Sequence, residues 1–393
     1  MSGITGLGTT YNLPNYTGEL ISITPSETPL LTAIGGLTGG RQTTSTEFEW
    51  QTSDGRNAGQ NVALEGATAP TATARVRGNV TNVVQVQQSK VATSYTKLAA
   101  VGLKAGSNND LMNPVTNELD WQVRQELIAM ARDIEYSFIN GSYQKPSDNT
   151  TARKTRGLLA AITTNLQAKA TATSAALSAA TDTVTEASTP VSNADKIIFT
   201  DVGASTTLQV GRIYHVRDKA SGSFKVAASA GGAAVTIGTA TVQYRLPWTT
   251  TLTTSHVDDI LQQVWDGGGL KDMAVATLIV NSVQKRAITA AYAGAYGKFN
   301  ETSRTVGGVA VETIVTDFGI VNVMLNRFMP QDAICVASLE ELAPVFLEVP
   351  GKGHFFAEPL AKTGASDDVQ LYGEVGLAYG AESHHGLVTG LDI

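Results

Sequence analysis

A single cysteine, Cys335, in 393 residues leaves no pair for a disulfide framework and too few thiolates for a cysteine metal cage. It lies in the apolar run Ala333-Ile334-Cys335-Val336, so it reads as a small buried hydrophobe and not as a nucleophile. No apolar run is long enough to cross a membrane, and no basic-then-apolar start appears; neither a span nor an export signal is expected. Positive charge is not in excess. The net charge of −7 argues against a chain that grips DNA by electrostatics, since such domains are usually basic. Aromatic residues make up 6% and charged residues 16%. What remains is a chain rich in Thr, Ala and Val, which favours extended structure over helix bundles, and long enough for two or three compact domains.

Catalytic patterns are missing as well. Gly297-Lys298 and Gly351-Lys352 have Tyr292 and Phe346 where a Walker loop needs glycine. The glycines at 3, 6 and 8 do not follow a strand, as a dinucleotide loop requires. Gly364-Ala365-Ser366-Asp367-Asp368 lacks the second glycine of a nucleophile elbow, and Asp367-Asp368 reads as a solvated turn. His384-His385 are adjacent, so on a strand they point to opposite faces and cannot easily share an ion. We expect no catalytic residue, no cofactor and no metal.

The strongest positive signal is residues 113–141. Asn113 can cap a helix there, Pro114 suits its first position and Gly141 can end it. Leu119, Val123, Leu127, Met130, Ile134 and Phe138 recur at three- and four-residue steps and form one apolar stripe. Glu118, Arg124, Glu126, Arg132, Asp133 and Glu135 are left for water or a partner. A charge at Leu127 is expected to abolish folding.

Two stretches before this helix have no core of their own. Residues 1–45 contain no Lys or Arg before Arg41 and show no helical or strand period, yet carry Leu20, Ile21, Ile23, Leu30, Leu31 and Ile34. Such an arm is expected to bury those side chains against a neighbouring molecule. Residues 46–100 read as a long β-hairpin, with alternation at Thr46–Trp50, Val84–Val86 and Val91–Tyr95 around a loop from about Thr52 to Gly78. A hairpin this poor in large apolar residues does not hold together alone.

Beyond the helix, Lys145, Arg153, Lys154 and Arg156 form a basic cluster, either a solvated loop or a surface for nucleic acid. Residues 167–190 are mostly Ala, Thr and Ser and suggest a linker. Residues 191–250 switch to short strands and turns, as in a small all-β domain. Ser255-His256-Val257-Asp258 opens a short helix. Strands are expected at Met273–Val280, Val309–Val315, Phe318–Leu325, Ile334–Val336, Val375–Tyr379 and Leu387–Val388, with a helix over Ser282–Tyr292 and another over Leu339–Leu347. The fold class is α+β.

The order of these segments resembles the major capsid proteins of tailed bacteriophages, the Hong Kong 97-like fold. Glu27-Thr28-Pro29-Leu30-Leu31 with Ile34-Gly35-Gly36, Thr46–Trp50, Asn117-Glu118-Leu119-Asp120-Trp121 through Phe138-Ile139-Asn140-Gly141, and Thr155-Arg156-Gly157-Leu158 carry the resemblance. So do Thr316-Asp317-Phe318-Gly319, Asn326-Arg327-Phe328-Met329-Pro330 and Tyr372-Gly373-Glu374.

The resemblance implies an N-terminal arm (1–45), an extended loop (46–92), a peripheral domain (93–156) with a spine helix at 114–140, and axial parts at 157–184 and 255–304. An inserted β domain at 185–254 and closing peripheral strands at 305–393 complete it. It further implies a shell subunit that assembles with itself into hexamers and pentamers. That shell would enclose double-stranded DNA without sequence-specific binding, with the basic cluster on its inner surface. Portal, scaffolding and decoration proteins are the other implied partners, no membrane is involved, and the virion would form in a bacterial cytoplasm. An encapsulin-like compartment, and a hydrolase with a β-rich binding domain, are the alternatives.

Overall fold

Two sheets pack around one long helix, Glu118–Asn140, and a closed barrel joins them at Asp332. The computed structural model describes residues 26–53, 55–56, 58–99, 117–168, 172–186, 191–205, 207–246, 252–271, 276–295, 312–362 and 364–392.

The six-stranded sheet runs in the order Glu312–Thr316, Gly319–Leu325, Ala276–Val280, Ile334–Ser338, Gly386–Thr389, Leu166–Ala168. Its central strands are buried on both faces, which explains their unbroken apolar sequences. Side chains alternate between the two faces. Leu278, Val280, Ile334 and Val336 pack with Val257, Ile260, Leu261 and Val264 of the helix Thr254–Asp266. Ile279, Cys335 and Ala337 face the opposite cluster, with Ile134, Phe138 and Ile139 of the long helix. Cys335 is fully buried there, and burial pushes its thiol pKa up.

The second sheet has the order Arg41–Thr43, Ala343–Leu347, Ser366–Ala378, Phe355–Pro359, with Gln85–Ser94 paired along the other side of Ser366–Ala378. Several expectations are corrected here. The segment expected to be helical over Leu339–Leu347 is a single turn, Leu339–Glu341, followed by a strand, because Pro344 interrupts any helix. Asp367-Asp368 is not a turn but strand, with Asp368 paired to Lys90 at 2.6 Å. The expected division at 304/305 lies outside the described residues; the strand Ala276–Val280 before it and four strands after it belong to one sheet.

The barrel is closed by Thr173–Ser178, Thr183–Thr185, Lys196–Asp201, Ile213–Ala220, Ser223–Ala227 and Ala240–Arg245. Phe199, Tyr214, Phe224 and Tyr244 fill it, with ring centroids 5.5 to 6.4 Å apart. It begins before the expected residue 185. The stretch read as an Ala/Thr/Ser linker supplies two of its strands, with Ala175, Leu177 and Val184 turned inward. Small residues at a period of two can line a tight barrel interior, and composition alone hides this.

The long helix starts at Asn117, whose Oδ1 accepts from the amides of Leu119 (3.1 Å) and Asp120 (3.4 Å); the expected start at Asn113-Pro114 lies outside the described residues. Gly141 ends it, and its amide donates to the Ser137 carbonyl at 2.9 Å. Met130, Ile134 and Phe138 are buried, Leu119 and Val123 only partly. Leu127 is 38% exposed and does not belong to the core. The first half of the helix lies along Gln85–Ser94, where Ser89 Oγ donates to Glu126 Oε1 at 2.7 Å. Only the second half enters the space between the sheets.

Candidate assembly surfaces

The root of the N-terminal arm is a five-residue helix, Pro29–Ala33, whose N-cap Thr28 makes no side-chain capping bond. Its first amides are served from elsewhere. Glu135, one of the charged residues expected to meet water or a partner, is fully buried. Its Oε1 accepts from the Leu30 amide at 2.8 Å, its Oε2 from the Leu31 amide at 2.6 Å, and Asn326 Nδ2 adds a third bond at 2.5 Å. Burial pushes the Glu135 carboxyl pKa up, while these three donors oppose the shift. A carboxylate at a helix N-terminus is favoured by the helix dipole and the unpaired amides. Leu30, Leu31 and Ile34 sit in the chain's own core beside Ile134 and Phe138. This corrects the expectation that they cover a neighbour; Leu20, Ile21 and Ile23 lie outside the described residues.

The second limb is the hairpin formed by Glu47–Ser53 and Arg77–Val83, seven residues against seven, paired with no other described strand. It is shorter than expected, because Gln85–Ser94 leaves it for the main sheet. Its base is fixed to the body. Phe48 lies over Gly376, where a Cβ would come within 2.6 Å of the ring. Trp50 stands edge-on to Tyr379, with centroids 4.9 Å apart. Asn82 is buried, donating to the Leu377 carbonyl at 2.7 Å and accepting from the Arg156 amide at 2.8 Å. Beyond this base the loop has nothing over it among the described residues. Val62, Leu64 and Val76 are 76%, 86% and 80% exposed.

The basic cluster is largely engaged within the chain. Lys145 pairs with Glu47 at 2.6 Å, at the foot of the hairpin, and Arg153 with Glu374 at 2.9 Å. Arg156 donates to the Tyr379 hydroxyl at 3.0 Å and covers the Tyr143 ring at 4.4 Å. Lys154 exchanges two backbone bonds with Gln144 and keeps its side chain exposed. The cluster therefore ties the hairpin and the loop after the long helix to the sheet.

No group of His, Cys, Asp or Glu suited to a metal ion occurs among the described residues. His384 Nδ1 meets Glu341 Oε1 at 2.5 Å, while His385 is buried between the Ser338 amide and the Tyr379 carbonyl.

One limb docked on the body and one projecting from it are the features of this fold that could join copies of the chain. The sequence profile of the SU10 major capsid protein matches residues 3–392. The chain belongs to that family. In fold the capsid protein is similar to the subunit in the cyanophage A-1(L) capsid, with 11% identity, a TM-score of 0.55 and 99% of each chain covered. It is similar to the subunit in the capsid of Myoviridae phage XM1, with 13% identity, a TM-score of 0.50 and 100% of each chain covered. A likeness to the SrpI encapsulin of Synechococcus elongatus PCC 7942 has 10% identity and a TM-score of 0.45, covering 97% of this chain and 92% of that one. Comparison with curated protein sequences finds no match. The capsid protein thus has the Hong Kong 97-like fold, the expected α+β class, and is a structural subunit of a phage capsid.

Proposed function

We propose that the capsid protein closes the head shell of a tailed phage by laying the loop of its hairpin across an adjoining copy, hexamers and pentamers arising from the same contacts. The exposed Val62, Leu64 and Val76 carry this reading. Isolated apolar side chains are ordinary on a surface, but three on one unsupported loop of a chain from a capsid family call for a covering partner. Ordering such a loop costs roughly 1–2 kcal/mol per residue in backbone entropy, which burial against neighbours offsets. Weak contacts repeated around closed symmetry then add up to a stable shell.

Packaged double-stranded DNA would be confined by the wall, in keeping with the net charge of −7 and with carboxylate partners for two of the four basic side chains. Residues 1–25 would extend the inter-subunit contact from the arm root. Portal, scaffolding and decoration proteins would complete a particle assembled in the host cytoplasm, and no catalytic step is assigned.

The test is negative-stain microscopy of expressed protein beside a variant in which residues 56–76 are replaced by a short turn. Closed shells from the parent and unassembled, folded capsomers from the variant are expected. Normal shells from the variant would remove the loop from assembly. Nuclease-protected DNA in particles from infected cells distinguishes a phage head from a compartment for protein cargo.

A further inference from the structure

We propose that residues 27–34 form a latch with Glu135 as its catch, opening as a unit about the glycine-rich turn at 35–40 while the rest of the capsid protein stays folded. The latch is a helix of only five residues, too short to persist by itself in water. At its ends the Thr32 amide and hydroxyl both donate to the Thr28 carbonyl, the Ile34 amide to Leu30 and the Gly36 amide to Leu31. What fixes it to the body is the pair of amide bonds to Glu135, the side chains of Leu30, Leu31 and Ile34, and an exposed ion pair between Glu27 and Arg327 at 2.8 Å. An exposed pair of that kind adds little.

The turn that follows requires glycine. Gly35, Gly36 and Gly40 have φ of +118°, +68° and +108°, values that glycine alone adopts without strain. The chain is then held again by Arg41–Thr43, in parallel pairing with Val345–Leu347. A segment with a firm anchor on one side, a glycine turn and one buried polar catch is a natural unit of local unfolding.

The catch lowers the cost of release. Closed, Glu135 is a fully buried carboxyl whose charged form burial disfavours. Open, it regains water, which offsets part of the apolar surface exposed by Leu30, Leu31 and Ile34. A purely apolar contact would offer no such return.

Native-state hydrogen exchange on the full-length chain tests this, reading the amides of Leu30, Leu31 and Ile34 against those of Ala276–Val280. In the parent, the latch amides should exchange together and at least about tenfold faster than the central strand. Glu135→Gln turns one acceptor into a donor facing an amide, and should speed the latch amides by roughly a further tenfold while the central strand is unchanged. If the latch amides of the parent exchange at the rate of Ala276–Val280, the segment is core and the latch does not exist. Equal acceleration of both sets in the variant would likewise overturn it. The comparison within the parent decides even if the variant does not fold.

Discussion

Trp50 Nε1 donates to the carbonyl oxygen of Gly380 at 2.7 Å. One bond thus joins the hairpin limb to the turn after the longest strand of the sheet, two positions 330 residues apart. The exposed loop therefore projects from a fixed base. Trp50→Phe keeps much of the aromatic contact with Tyr379 and removes the bond, and should cost about 1 kcal/mol in urea unfolding. Trp50→Ala should leave a folded subunit with a sharply lower yield of closed shells; undiminished yield would show that the limb's direction is not set there.

Leu127 and Phe138 lie on the stripe that sequence periodicity draws, yet only Phe138 is enclosed. Phe138→Ala should cost about 3–5 kcal/mol. Leu127→Asp, which the stripe alone condemns, should cost under about 1 kcal/mol. Thermal unfolding of the two purified variants checks the contrast, and collapse of the Leu127 variant would mean that the helix is covered along its first half.

The barrel meets the body at a buried ion pair, Arg245 Nε to Asp332 Oδ2 at 2.5 Å, with Asp332 also accepting from the Gly390 amide at 3.1 Å. Excising residues 172–246 should leave a soluble, folded remainder of lower thermal stability, partly restored by Asp332→Asn, because the excision takes away the partner of a buried charge. Excising 185–254 instead strands Thr173–Ser178 without its barrel partners and should give aggregates. Size exclusion and circular dichroism separate the outcomes; soluble, folded protein from both would show that the strands before 185 are dispensable to the barrel's boundary.

Burial holds the His385 imidazole below its ordinary pKa of 6.5, against the pull of the Tyr379 carbonyl. The native state therefore keeps it neutral, whereas the unfolded chain protonates it near the ordinary value. Its contribution is complete above about pH 6.5 and is lost as the pH falls below that value. The urea midpoint should drop between pH 7.5 and 5.5, and drop less in His385→Asn. Equal drops would assign the effect to other groups.

Local rules are legible in the chain because they need only near neighbours. Gly141 as a helix end, Ile134 and Phe138 as core, the all-apolar strands at Ala276–Val280 and Ile334–Ser338, and the isolation of Cys335 follow from spacing and composition. The order of segments already resembled a phage capsid subunit, and the family match agrees. What the sequence could not decide were matters of coverage. Whether Leu127 is enclosed depends on where the sheets end, and the inward turn of Ala175 and Leu177 depends on a barrel closed by strands far along the chain. Glu135 is the clearest instance. It lies four residues from both Ala131 and Ile139, on the buried side of its helix, yet a carboxylate is placed inside only if donors arrive to meet it. Those donors, the amides of Leu30 and Leu31 and the side chain of Asn326, come from segments 105, 104 and 191 residues away. Burial of charge is a property of the assembled surroundings, and only the tertiary structure brings them together.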